Sequence, residues 1–272
     1  MLTVNLLGTA SFSVNGTVVK SDLGPAGRLL ACYLFEFTGK VHRRERLADL
    51  FWQDIEPERG RSALNTAIWR IRKILDSGGN GASRHLVTIG NEVILEASDR
   101  FSVDTHEMES ACKRALGRTA DTPVSAGVLD DVSGAVERYA GPFLDGYDDD
   151  WVLQERERLH CLFIRSTFEL MRAAANQGHY ERALDFGRRV LAVDPLRESV
   201  QQDVMLLLLL NGQRVEAIRS YQRLVQRLRN ELDIDPMPET TRLNADIVSG
   251  AIFGRIPDYV ATHFGAQKTT VL

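Results

Sequence analysis

The chain opens on short runs in which apolar and polar residues alternate: Leu2-Thr3-Val4-Asn5-Leu6, Phe12-Ser13-Val14, then Val18-Val19. A period of two predicts strands with one buried face. Asn15-Gly16 ahead of the last run predicts a tight hairpin turn, because both residues accept positive φ. The period then lengthens. Pro25 can open a helix at its first turn, and Leu29, Leu30, Leu34 and Phe37 form an apolar stripe that stops at Gly39. A second helix turns Leu47, Leu50 and Phe51 inward, with Arg43, Arg44 and Arg46 near its start. A third runs from about Gly60 to Asp76, where Leu64, Ile68, Ile71 and Leu75 step by four, three and four along one face. Gly78-Gly79-Asn80-Gly81 ends it, and His85–Ile89 and Glu92–Leu95 then predict two strands joined by Gly90-Asn91.

Sheet, three helices and hairpin, in that order and within residues 1–98, predict an α+β winged helix-turn-helix with an extra N-terminal sheet, an arrangement that resembles OmpR-type DNA-binding domains. In such a motif the second helix enters the major groove, here the helix of Gly60–Asp76.

Beyond Ser98 the pattern reads as entirely helical. Helices are expected at about 104–116, 129–140, 151–176, 180–193, 198–210 and 213–232, with a loop over Gly117–Gly127 that contains Pro123. Trp151, Leu159, Leu162, Phe163, Ser166 and Leu170 mark the buried side of the longest. Gly178 and Gly212 lie 34 residues apart, as do Ala183 and Ala217, and Pro195 follows the first helix. That period, with Gly at the turn and Ala where helices touch, resembles a tetratricopeptide (TPR) repeat. Arg229 stands where the second copy would have Pro, and that helix continues to Leu232. Repeats bury their apolar faces only against neighbours, so residues 99–250 are expected to form one all-α TPR-like domain. Residues 251–272, with Phe253, Tyr259 and Phe264, are a tail without assignment.

Composition bears on this mainly through charge. The whole chain sums to −4, but residues 1–98 carry 12 basic and 10 acidic side chains, and residues 99–272 carry 21 and 27. From Arg59 to Arg84 six basic residues stand against one acid, Asp76. On charge alone a solvated helix face explains this; its coincidence with the helix assigned to the groove favours an anionic partner. The longest apolar run, Val204–Leu210, has seven residues against the ~20 of a membrane span, and no signal peptide is visible. Cys32, Cys112 and Cys161 form no C-x-x-C pair and are expected as buried thiols in a reducing cytoplasm.

Catalytic and metal signatures are missing. The six histidines show no H-E-x-x-H, and no G-x-S-x-G elbow occurs. Asp148-Asp149-Asp150 is read as favouring a helix N-terminus rather than holding a metal. Glu155 and Glu157 alternate with Arg156 and Arg158, which points to ion pairing within a helix rather than acid–base chemistry.

Several segments carry a family resemblance: Arg43-Arg44-Glu45-Arg46-Leu47-Ala48-Asp49-Leu50-Phe51-Trp52, Ala63-Leu64-Asn65-Thr66-Ala67-Ile68-Trp69-Arg70-Ile71-Arg72, Tyr139-Ala140-Gly141-Pro142-Phe143-Leu144, Trp151 with Glu155-Arg156-Glu157-Arg158-Leu159, Asp194-Pro195-Leu196-Arg197-Glu198, and Glu231-Leu232-Asp233-Ile234-Asp235-Pro236-Met237-Pro238-Glu239-Thr240. Over about residues 1–245 the chain resembles the antibiotic regulatory protein (SARP) family, an OmpR-type winged helix followed by a bacterial transcriptional activator domain. The resemblance implies a non-enzymatic activator that binds double-stranded promoter DNA, often at tandem direct repeats, and recruits RNA polymerase. Larger relatives append an ATPase domain; here the only Gly-Lys, Gly39-Lys40, is followed by Val41, so no nucleotide or other cofactor is expected.

On the third helix Arg61, Asn65, Thr66, Trp69 and Arg70 are candidates for base edges. Arg pairs with guanine and Asn with adenine through two hydrogen bonds, and the Thr methyl meets that of thymine. Arg43, Arg44, Arg72 and Lys73 suit phosphates, which orient without reading sequence. Arg84 and His85 begin the wing. Trp69 has the alternative of packing under that wing. A homodimer on DNA fits the repeat sites. The competing function is a TPR adaptor whose winged fold binds protein only, and salt-dependent binding to duplex DNA separates the two.

Overall fold

The computed structural model describes residues 1–20, 22–79, 81–116, 133–134 and 139–264. The chain divides into two compact units, Met1–Ser110 with Glu137–Leu159, and Ala111–Val136 with His160–Leu272. The expected loop at Gly117–Gly127 and most of the expected 129–140 helix lie outside the described residues.

In the first unit, β1 (Leu2–Asn5), β2 (Ser11–Val14) and β3 (Thr17–Val18) precede α1 (Gly24–Glu36). Asn15 and Gly16 take φ of +49° and +81° at the β2–β3 turn, the left-handed pair that such a hairpin requires. Then come β4 (Val41–Arg43), α2 (Arg44–Phe51) and α3 (Pro57–Asp76), and a 3₁₀ turn at Ala82–His85 leads into β5 (Leu86–Ile89) and β6 (Glu92–Leu95). β4, β6 and β5 form one antiparallel sheet in that order. The third helix starts three residues earlier than its apolar stripe indicated, because Pro57, with φ already helical, occupies the first turn. Leu50, expected inward, is exposed, and Leu47 and Ala48 carry the buried face of α2.

The chain beyond Ser98 is not entirely helical. Phe101–Val103 forms β7, which pairs in parallel with β1 and completes a sheet of order β3-β2-β1-β7. Three residues are too few to display a period, although Phe101 and Val103 are buried as a strand's alternate positions should be. α4 (Asp104–Leu116) follows at once. Its buried Asp104 accepts hydrogen bonds from the amides of Leu6 and Leu7 at 2.8 and 3.0 Å, satisfying donors that β1 leaves over. Burial raises the Asp104 carboxyl above its usual range, and these amides pull it back.

Residues 139–147 return to this unit. The Gly8 amide donates to Pro142 O (2.9 Å), and the Leu144 amide donates to Leu6 O (2.8 Å). A methyl on Gly141 would lie 3.3 Å from the Gly8 Cα, so the two glycines let the backbones meet. Arg156 donates to the carbonyls of Phe143, Leu144 and Tyr147. Trp151 packs edge-on against Tyr33, Phe51 and Phe143. Of the expected ion pairs along Glu155–Arg158, Arg158–Glu155 forms (2.8 Å), whereas Arg156 serves backbone instead.

The second unit is helical: the later part of α5 (Asp150–Asn176), then α6 (Tyr180–Val193), α7 (Glu198–Leu210), α8 (Arg214–Leu232), α9 (Pro238–Ser249), a 3₁₀ turn at Ala251–Gly254 and α10 (Ile256–Phe264). The 34-residue spacing repeats bond for bond. Gly178 and Gly212 both have positive φ, of +76° and +73°. Their amides donate to Ala175 O and Leu209 O, and the next amides, of His179 and Gln213, to Ala174 O and Leu208 O. Ala183 and Ala217 are fully buried. The tail left unassigned by sequence buries Ile252 and Phe264, and His263 Nδ1 lies 2.6 Å from the buried Asp203 carboxylate. Cys32 and Cys112 are buried, but Cys161, expected to be so, is exposed on the outer side of α5. Among the described residues no helix is long and apolar enough to cross a membrane.

Candidate nucleic-acid interface

α3 is amphipathic through its whole length. Leu64, Ala67, Ile68, Ile71, Ile74 and Leu75 are buried, and the opposite face presents Arg61, Asn65, Thr66, Trp69 and Lys73 to solvent. Trp69 is 54% exposed, which excludes the alternative of packing under the hairpin. Its ring instead carries the Lys73 ammonium 3.7 Å from the centroid, a cation–π contact that holds both side chains outward. Thr66 directs its hydroxyl to Ser62 O (3.1 Å), leaving its methyl for contact.

Two flanking elements frame this face. Arg44, at the start of α2, donates to the side-chain oxygen of Asn65. The Arg44 amide donates to Asn91 O (2.9 Å), and Asn91 Nδ2 donates to Glu45. Since β4 pairs with β6 through Arg43↔Glu92, the hairpin turn, the N-terminus of α2 and Asn65 are drawn to one place. Asn91 and Glu45 were not read as site residues from the sequence; the Gly90-Asn91 turn was the signal available for the first.

Arg70 and Arg72 of α3 sit at the margins of the exposed face, both half-buried. Arg72 reaches the hairpin, donating to Leu86 O at 3.0 Å and to the Thr88 hydroxyl. Arg70 leans the other way, 3.5 Å from the fully solvated Asp22 carboxylate. Arg84 and His85 lie in the 3₁₀ turn before β5, at the end of the hairpin away from Gly90-Asn91, so the structure does not bring them to Asn65. There Arg84 Nε donates to Gly81 O (3.1 Å), and His85 Nδ1 stands 3.7 Å from Glu96. Among the described residues no group of three or more His, Cys, Asp or Glu side chains could hold a metal ion. A convex face of Arg, Lys, Asn, Thr and Trp offers donors, cations and one stacking surface. It suits an anionic polymer with readable edges rather than a reacting small molecule.

Several known proteins are similar to this chain. Residues 103–248 match the family described as Bacterial transcriptional activator domain. The transcriptional regulatory protein MoaR1 of Mycobacterium tuberculosis is 26% identical over 238 residues, covering 86% of this chain and 75% of its own length. The regulatory protein AfsR of Streptomyces coelicolor is 25% identical over 231 residues, 82% of this chain but 22% of AfsR. Mycobacterium tuberculosis EmbR, solved in complex with a low affinity phosphopeptide, superposes with a TM-score of 0.68 at 20% identity, over 97% of this chain and 69% of that one. A transcription regulator, not an enzyme, is the class these matches define. The chain belongs to the bacterial transcriptional activator domain family and, with these relatives, to the antibiotic regulatory protein (SARP) family.

Proposed function

We propose that the protein is a sequence-specific activator that binds double-stranded promoter DNA in the cytoplasm. In this reading the first unit is a winged helix-turn-helix: α2 and α3 form the motif, α3 enters the major groove, and the β5–β6 hairpin is the wing. Arg61, Asn65, Thr66, Trp69 and Arg70 meet base edges. Arg43, Arg44, Arg72 and Lys73 meet phosphates, and Arg84 and His85 contact DNA from the base of the wing. The second unit is TPR-like and recruits RNA polymerase, and two copies occupy tandem direct repeats as a homodimer. In the sequence reading these roles divide at 1–98 for DNA and 99–250 for activation; the compact units divide differently, with residues up to Ser110 and from Glu137 to Leu159 grouped in the first.

One observation carries the proposal. The outward face of α3, basic and polar with a solvated tryptophan, is flanked on one side by the α2 N-terminus and the hairpin turn. Selection of duplexes from a random pool by the full chain tests it, followed by binding of the enriched sequence over a range of salt. An enriched sequence, with log K falling linearly against log[salt], is expected. No enrichment and no salt-dependent binding would favour the adaptor instead.

A further inference from the structure

The second unit holds a cleft of about 260 Å³ between α6, α7 and α8. Leu191, Val204, Leu208 and Leu224 give it an apolar floor, and Arg188, Arg223 and Arg227 stand on its rim with one acid, Glu216. Within the floor Gln201 and Ser220 are 5% and 6% exposed, and Gln201 Nε2 donates to Ser220 Oγ. The serine hydroxyl keeps its own proton to donate. We propose that this cleft binds an acidic, leucine-containing peptide segment of a partner protein.

Charge and shape both select that ligand. Three guanidinium groups against one carboxylate leave the rim at +2 in a chain whose net charge is −4. The α8 residues Glu216, Ser220, Arg223, Leu224 and Arg227 repeat at helical spacing along roughly 16 Å of that helix (1.5 Å rise per residue). A single small anion would engage one end of such a row, whereas an extended segment with acidic residues in series engages all of it. The leucine floor accommodates side chains, and the buried Gln201–Ser220 pair offers polar atoms to a peptide backbone. Duplex DNA fits poorly, since its bases stay stacked and its phosphates gain nothing from apolar lining. Glu216 currently occupies part of the rim, 2.7 Å from Arg223 and 3.8 Å from Arg219. These arginines hold its carboxyl below the usual carboxylate range. An incoming carboxylate competes with Glu216 for Arg223.

The test uses the full chain and a fluorescein-labelled peptide of four Asp-Leu-Glu units, followed by anisotropy. Saturable binding that weakens with salt is expected, and a Lys-Leu-Lys counterpart should not bind. The double substitution Arg223→Glu/Arg227→Glu, on exposed positions, should weaken binding by about tenfold or more with melting unchanged. Glu216→Gln should strengthen it by about twofold or more, a gain that misfolding cannot imitate. No binding of the acidic peptide, or binding unaltered by both substitutions, would overturn the proposal. So would displacement of the peptide by a random duplex from a Trp69→Ala/Lys73→Ala chain, since that would assign the cleft to phosphates. The readout is independent of α3, so failure here leaves the DNA-binding reading standing.

Discussion

The outward face of α3 and the seam between α6 and α7 use the same helical geometry for opposite purposes. At the seam the smallest residues do the work. A methyl on Gly187 would lie 2.5 Å from Val204 Cγ2 and 3.0 Å from the sulfur of Met171 on α5, and Ala183 has no exposed surface, as is true of Ala217 where α8 joins the stack. On α3 the largest residues stand in water, with Trp69 more than half exposed under a lysine. Apolar area left in solvent forfeits ~25 cal/mol per Å², so folding alone gives no reason to keep a tryptophan there. The seam serves stability, whereas in the proposed function the α3 face serves a partner. Substitutions in the two places should therefore separate stability from binding.

The sharpest break would come from Ala217→Glu. The carboxylate has no partner and no room in a fully buried position, and the cost should be roughly 3–5 kcal/mol. Helicity and Tm should fall together in thermal melts. A soluble variant with an unchanged Tm would mean that the repeat does not bear the load assigned to it.

The interior of the first unit offers a pH-dependent version of the same contrast. Glu36 is buried, accepts from the Thr105 hydroxyl (2.6 Å) and lies 3.7 Å from Arg158. Burial and Arg158 pull in opposite directions. Burial prevails with help from the neighbouring Glu155 carboxyl, because the Thr105 hydroxyl and Arg158, which is 44% exposed and divided among Glu36, Glu109 and Glu155, offset it only in part. The Glu36 carboxyl is pushed up from 4.5 to about 8. The folded chain thus keeps a proton that the unfolded chain releases. That stabilisation is whole below pH 4.5 and is lost as pH rises through 8. Each pH unit over which the proton is retained is worth ~1.4 kcal/mol. Glu36→Gln should melt higher than the parent at pH 8, with the difference closing toward pH 4.5. A difference constant across that range would refute the assignment.

How much of this was legible in the sequence follows from where the determining contacts lie. Elements whose signal is local were readable: the Asn15-Gly16 turn, the apolar stripe of α3, and the 34-residue spacing from Gly178 to Gly212. Those that depend on a distant partner were not. β7 is a strand only because β1 lies beside it, and Asp104 matters only because Leu6 and Leu7 present their amides. A fragment ending at residue 98 would lack both, so its folding is a separate question from DNA binding. On the candidate interface, helical spacing placed Asn65, Thr66, Trp69 and Lys73 outward. It gave no sign that Arg72 would turn to the hairpin or Arg70 to Asp22, since both depend on neighbours remote in sequence.

Those two arginines sharpen the contrast within α3 itself. As a base reader, Arg70→Ala should cost ~1–3 kcal/mol on the selected site and much less on a scrambled duplex, with Tm unchanged. Arg72→Ala should weaken both duplexes alike and lower the salt slope by about one. Because Arg72 also ties Leu86 O and Thr88 to α3, it should lose ~1–2 kcal/mol of stability as well. Salt titrations on both DNAs, with melts of both variants, read all four quantities. Equal losses for Arg70→Ala on the two duplexes would make it a phosphate contact.

The smallest effect is expected at Asp22→Asn, and it is the most specific to the geometry. The Asp22 carboxylate is solvated and 3.5 Å from Arg70, so the pair contributes within ~1 kcal/mol to stability and Tm should barely move. DNA binding should improve, because the substitution releases Arg70 and removes a negative charge from a face that meets phosphates. A gain of about two- to fivefold at low salt, fading as salt screens the removed charge, is the expected outcome. The gain should vanish in Asp22→Asn/Arg70→Ala if it acts through Arg70. If it persists there undiminished, Asp22 acts only as a general repulsive charge, and Arg70 is not held back from the groove by this pair.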